Sequence, residues 1–355
     1  MGREPRVPLY VLGGVDWLTT QTLYHGLAEL DEEAIILCWP KSPYVSLGCH
    51  QDGAEFDPVS GIPALRRRVG GTLVYLDEQQ VFFQVLMDPS RLLPGARPSE
   101  WYRLALEPVV AYLDRLGLEA RLKPPADILI GSRKISGNAG GQLGDKMVIV
   151  GNLLVDFPRH RMAEARYAPN PEMRRAFEAS LNQHLVTLHE LPGLAGMTRE
   201  TVMEGLAETY ILGLNAVLSE PAWTRWCPTL ERIGRELQDP RWLRAEGYRL
   251  PYHQIKIRES VYLRALRVDP AHPWAPLTVE LHTDSRTVTR VWGVEELERM
   301  DWPRSIDHLH ELPMSPDWLE ALCRLADRPP GQHEGLTKEE NDYGVETDGT
   351  MARSG

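Results

Sequence analysis

The chain has 355 residues, 43% apolar and 25% charged, within the range of ordinary globular proteins, which excludes a chain disordered throughout. Its formal charge is −11, with 39 basic against 50 acidic residues, which argues against generic nucleic-acid binding, where basic charge is concentrated to neutralise phosphates. No run approaches the roughly 18 apolar residues of a membrane span, and the opening Met1–Arg6 with the short run Val7–Leu12 is too short and wrongly flanked for a secretory signal. Cys38, Cys49, Cys227 and Cys323 are scattered without a CxxC pair, which fits a reduced compartment. A cytoplasmic protein with neither membrane nor nucleic-acid partner is expected.

Trp17, Leu18, Leu23, Leu27 and Leu30 recur at helical spacing behind Asp16, a candidate N-cap. Ile35–Trp39 and Tyr44–Leu47 read as strands around a Pro-Lys-Ser-Pro turn. Leu65–Arg68, Leu73–Leu76 and Val81–Met87 read as three more, the first two joined as a hairpin through Val69-Gly70-Gly71-Thr72. A helix is predicted over Glu100–Leu116, opened by Pro98-Ser99, then strands over Leu118–Leu122, Ile128–Ile130 and Met147–Asp156. Amphipathic helices follow near Arg161–Arg166 and Pro171–Ser180, and a longer one runs from a cap at Thr198–Glu200 to about Leu218.

After a Trp- and Arg-rich stretch come strands at Gln254–Arg258, Val261–Val268, Pro276–His282 and Arg286–Trp292, and helices at Val294–Met300 and Asp317–Ala326. Many short strands between two long helices favour α+β, with a central mixed or antiparallel sheet flanked by helices, over a regular βαβ alternation. The expected division is a domain over 1–220, a connecting segment over 221–250 and a small α+β domain over 251–327. The tail 328–355, poor in aliphatic residues, reads as disordered.

Two segments could carry chemistry. In Arg66-Arg67-Arg68-Val69-Gly70-Gly71-Thr72-Leu73-Val74-Tyr75, backbone N–H groups of a glycine turn could face an anion, with arginines beside them. An ordinary hairpin with a solvated basic edge is the plainer explanation of that segment taken alone. In Asp127-Ile128-Leu129-Ile130-Gly131-Ser132-Arg133-Lys134, continuing Ile135-Ser136-Gly137-Asn138-Ala139, a lysine re-enters the fold after a glycine turn. Beside phosphates it would be a point charge, and Asp127 could hold Mg²⁺. A surface lysine beside a turn-initiating aspartate is the plainer alternative.

Together the two segments resemble the lipoate–protein ligase A family, within the biotin and lipoate ligase superfamily. The resemblance rests on Arg-Arg-x-x-Gly-Gly, on Arg133-Lys134-Ile135-Ser136-Gly137-Asn138-Ala139, on Gly48-Cys49-His50-Gln51 and on Val150-Gly151-Asn152-Leu153-Leu154. It covers about residues 8–215, with a fainter likeness to the family's accessory domain over 255–293. It implies that lipoate and MgATP give enzyme-bound lipoyl-AMP, and that the lipoyl group then passes to a lysine of a lipoyl-domain or glycine-cleavage-H-like carrier. ATP and Mg²⁺ enter as cosubstrates, with no resident prosthetic group expected.

The residue matching the family's catalytic lysine is Lys134. The implied lipoate and ATP site comprises Arg67, Gly70, Gly71, Thr72, Val74, Tyr75, Asp127, Ser136, Gly137, Asn138, Ala139, Gly151 and Asn152, with Asp127 as the magnesium ligand. Two positions depart from the family pattern: Thr72 stands for a third glycine and Leu76 for a histidine. Related octanoyltransferases use a cysteine nucleophile near the stretch matching Leu122–Ala126, where this chain has none. Acyl transfer between carriers without ATP, or non-catalytic binding of a lipoylated protein, are the other readings. Cys49 is read as structural, Cys38 as core, His308 and His310 as a surface loop, and His184 and His189 as without a role.

Overall fold

The computed structural model describes residues 6–58, 61–91 and 95–326; the tail expected to be disordered lies outside them. β1 (Val7–Val15) leads through α1 (Thr19–Glu29) to β2 (Ala34–Pro40) and β3 (Tyr44–Leu47). The helix starts two residues later than its apolar spacing suggests, because Asp16 Oδ1 accepts from Leu18 N (3.0 Å) ahead of it. β4 (Ala64–Arg66) and β5 (Val74–Leu76) flank β3, the first parallel to it and the second antiparallel. They do not pair with each other, so the expected hairpin is instead a crossing. The glycine segment passes over β3 from one side to the other.

Next come β6 (Gln80–Met87), α2 (Pro98–Arg115), β7 (Ala120–Lys123), β8 (Asp127–Ile130), β9 (Arg133–Leu143) and β10 (Lys146–Leu154). The long strand β9, rich in small residues, was not among the predicted elements. α3 (Arg159–Ala165) precedes α4 (Pro171–His184), which is capped by Asn170 accepting from Met173 N (2.7 Å). α5 (Arg199–Leu214) stops at Asn215, which is left-handed (φ 51°). The residues expected to continue it form β11 (Ala216–Leu218), parallel to β1.

These strands build an eight-stranded mixed sheet in the order β11-β1-β2-β6-β10-β9-β8-β7. All of β6 is buried, and its alternate residues serve two cores. Val81, Phe83 and Val85 face α2 and α5, while Phe82 and Leu86 face the opposite layer. That layer contains α1 and α6 (Trp223–Leu237), with Trp226, Leu230 and Ile233 packed against Leu23 and Leu27. The stretch expected to connect two domains is therefore a core helix, followed by α7 (Pro240–Leu243).

A second, antiparallel sheet runs β12 (Tyr252–Arg258), β13 (Val261–Leu266), β14 (Thr278–His282), β15 (Thr287–Trp292) and, after α8 (Glu295–Glu298), β16 (Arg304–Ser305). One face packs on α4 through Ile255, Ile257 and Leu263; the other is covered by α9 (Pro316–Ala326). The architecture is thus α+β, a large mixed sheet flanked by helices with a second sheet after it. Among the described residues no helix is long and apolar enough to cross a membrane.

Candidate active site

A cavity lies on the α1 side of the large sheet. Its floor is Phe82 and Gln84 of β6, Val150, Gly151, Asn152 and Leu154 of β10, and Gly137, Asn138 and Ala139 of β9. Gly71, Thr72, Leu73, Val74, Tyr75 and Leu76 form one wall, and Met162, Phe177, Leu181 and Leu185 another. Lys256 and Ile257 reach it from β12. Most of these walls are apolar; polar side chains line two places, Asp127, Lys134, Asn138 and Asn152 at one and Gln21, Ser46, Arg67 and Gln84 at the other.

Lys134 reaches this place through an irregularity in β9. Leu129 pairs with Lys134 and Ile128 with Ser136, so Ile135 is an extra residue. Such a bulge re-aims side chains. Without it, Lys134 and Gly137 would point to opposite faces; with it, the lysine lies over Gly137 and reaches Asp127, which stands directly opposite Gly137. Lys134 Nζ is 2.9 Å from Asp127 Oδ1, and the lysine side chain is 20% exposed. A Cβ on Gly137 would sit 2.8 Å from Lys134 Cε. Glycine is required there for the ammonium to lie across the strand.

Asp127 is buried, and its other oxygen accepts from the backbone N of Glu259 (2.6 Å). Both oxygens are engaged within the protein, and among the described residues no other carboxylate lines the cavity. As the magnesium ligand expected from the sequence, Asp127 would be the single carboxylate beside the phosphate oxygens that Mg²⁺ also takes. In the structure it orients Lys134. A polar chain supports the same spot: Gly137 N donates to Asn152 Oδ1 (3.2 Å), and Asn152 Nδ2 donates to Gln80 Oε1.

The arginine run has a different task from the anion site it suggests. All five N–H groups of Arg67 are directed at protein oxygens. Nε and Nη2 donate to Gly70 O (3.0 and 2.8 Å), Nη2 also to Thr72 O (2.9 Å), and Nη1 to Ser46 O and Oγ (2.9 and 3.2 Å). Arg67 borders the cavity but holds the glycine crossing in place, with no donor left for a ligand. Gly71 sits at φ 95°, a conformation open to glycine at little cost. Arg66 donates to the carbonyls of Cys49, Gln51, Leu243 and Ala245, and Arg68 pairs with Glu236.

Of the expected site residues, Arg67, Gly71, Thr72, Val74, Tyr75, Asp127, Lys134, Gly137, Asn138, Ala139, Gly151 and Asn152 border one cavity. Gly70 and Ser136 do not. The Gly70 carbonyl is held by Arg67, and Ser136 is wholly buried, donating to Asn138 Oδ1 (3.3 Å). Gln21, Ser46, Gln84 and the α3–α4 apolar wall were missed, because nothing in local spacing distinguishes a cavity wall from core. Lys256 and Ile257 were missed because they come from the second sheet.

None of the described cysteines borders the cavity. Burial raises the thiol pKa of Cys49, and pushes that of Cys38 up to about 12, which disfavours the thiolate a nucleophile needs. His25 is buried, its Nδ1 against Gln21 O (2.6 Å) and its Nε2 accepting from Arg68 N (3.0 Å). Burial lowers its pKa to about 3, with the Arg68 and Arg67 charges adding to the fall against the Gln21 bond. His308 and His310 are exposed on a short 3-10 turn.

Residues 14–211 match the family described as lipoyl protein ligase A/B catalytic domain. The chain is 25% identical over 221 residues to the octanoyltransferase LipM of Kyrpidia tusciae, spanning 55% of this chain and 80% of that protein. It is 28% identical over 130 residues to lipoate–protein ligase 1 of Staphylococcus aureus, a match spanning 35% of this chain but only 38% of the relative. In fold it is similar to the bipartite lipoate protein ligase of Thermoplasma acidophilum, with a TM-score of 0.57 at 20% identity over 70% of this chain and 100% of that one. It is also similar to LipL1 of P. falciparum in complex with lipoate, with a TM-score of 0.54 at 14% identity over 90% of this chain and 98% of that one. A match that runs from Gly14 to Ile211 takes in β9, its bulge and Lys134, and the chain belongs to the lipoyl protein ligase A/B catalytic domain family.

Proposed function

We propose that the protein is a lipoate–protein ligase, which activates lipoate with ATP and passes the lipoyl group to a lysine of a lipoyl-domain or glycine-cleavage-H-like carrier. The observation that carries this reading is an ammonium, Lys134, oriented by Asp127 at the edge of a mostly apolar cavity without a cysteine in its lining. The apolar walls suit a medium-length acyl chain, and the carboxylate would meet Lys134. A carboxylate oxygen then attacks the α-phosphorus of ATP and pyrophosphate leaves. A fixed ammonium stabilises the charge that builds on the phosphoryl oxygens. In the second step the carrier amine attacks the acyl carbonyl carbon and AMP leaves, so positioning of the amine replaces a protein nucleophile.

The second reading is acyl transfer from one carrier to another without ATP, favoured by the likeness to LipM along 80% of that protein. Incubation of the full chain with lipoate, ATP, magnesium and an apo lipoyl domain, read by intact mass of the carrier, separates the two. The ligase reading expects acylation that requires ATP; acylation only from an octanoylated carrier would replace it. Lys134→Ala is expected to reduce ATP-dependent acylation by at least 100-fold while the circular dichroism spectrum is unchanged.

A further inference from the structure

Away from the cavity, three ligand-type side chains converge where α4 meets the second sheet. His184 ends α4, and Glu280 and His282 lie two residues apart on β14, on one face of the strand. One ligand atom from each falls within 4.8 Å of the other two. Glu280 is fully buried and His184 is 4% exposed. His184 Nε2 lies 3.2 Å from Glu280 Oε2, and His282 Nε2 is buried without a hydrogen-bond partner.

The carboxylate is fixed by neighbours outside the trio. Ser180 Oγ donates to Glu280 Oε2, and Thr289 Oγ1 donates to Oε1 (2.8 Å). A buried His282 nitrogen without a hydrogen-bond partner, and a second imidazole against a carboxylate that hydroxyls orient from outside, make up the donor set of a metal site.

We propose that His184, Glu280 and His282 bind one divalent ion of the zinc class, with water as the fourth ligand. Two imidazoles and one carboxylate with one open position suit zinc, and imidazole ligation disfavours magnesium and calcium. A tetrahedral ion at about 2.0–2.1 Å needs donors roughly 3.3 Å apart; the His184–Glu280 separation of 3.2 Å already meets this, and the His282 donor has to close in from within 4.8 Å. The ion would clip β14 to the helix whose Phe177 and Leu181 wall the cavity.

The test is titration of the full chain, freed of metal by a chelator, with Co²⁺ followed by visible absorption. One equivalent per chain is expected, with the intense bands of tetrahedral coordination, displaced by Zn²⁺. His282→Ala, at the half-buried ligand, should weaken binding at least tenfold with an unchanged circular dichroism spectrum, and Glu280→Gln should do the same. The double variant His308→Ala/His310→Ala should bind as the parent does. No stoichiometric uptake by the parent chain, or uptake that survives His282→Ala and is lost with His308 and His310, would overturn the assignment. Neither result depends on acyl transfer.

Discussion

At the scale of single residues, the arrangement turns on Gly137 as much as on Lys134. The Cβ of an alanine at 137 would press on Lys134 Cε and Nζ, the flexible end of a side chain, while the neighbouring Asn152 Oδ1 stays at 3.6 Å. Gly137→Ala is therefore expected to leave thermal stability within about 1 kcal/mol of the parent but to displace the ammonium and lower acylation at least tenfold. A melting curve beside a carrier-mass assay checks both halves. The lysine and its small neighbours were legible in the sequence as a motif. The bulge that turns Lys134 toward Asp127 was not, because an extra residue in a strand leaves no mark when Ile135 looks like any other apolar residue. The arginine run misled for a related reason. Charge in a sequence says nothing of direction, and Arg67 points its donors inward at carbonyls of its own loop.

Among elements, α6 and α1 form a pair whose importance the composition concealed. Trp226 is fully buried against Tyr10, and its Nε1 donates to Glu32 (3.0 Å). Removal of so large a buried ring generally costs about 3–5 kcal/mol, and Trp226→Ala should lose that much in urea denaturation. A loop-borne tryptophan would lose far less. α1 also carries His25, which holds the backbone of Arg68 at the start of the glycine crossing. In the unfolded chain this imidazole takes up a proton near its ordinary value of 6.5, whereas burial delays that to about 3 in the folded protein. The unfolded state binds more protons in between, so stability should fall as pH drops from 6.5 toward 3. His25→Gln should flatten the slope of denaturation free energy against pH across that window. Long periodic elements such as α2 and α5 were readable from spacing. The parallel pairing of β3 with β4 was not, since strands of three and four residues carry too little pattern to name a partner.

On the scale of the whole molecule, the second sheet is an integral wall. Ile255, Ile257, Val261 and Leu263 share one core with Phe177 and Leu181 of α4, and the Glu259 backbone reaches across to Asp127. A chain ended at residue 250 would expose that surface. At roughly 1.5–3 kcal/mol for each large side chain, it should melt about 10 °C or more below the full chain, or aggregate, as calorimetry would show. The motifs stop near residue 215 and the cavity does not, which is why Lys256 and Ile257 escaped a reading built on local resemblance. The large sheet has one further property of this kind. Its first strand is flanked on its outer side by its last, Val7–Leu9 lying along Ala216–Leu218. At translation rates of about 5–20 residues per second, the nascent β1 waits roughly 10–40 s before the segment that covers its open border has emerged. During that interval a ribosome-bound chaperone has a bare β-edge to shield.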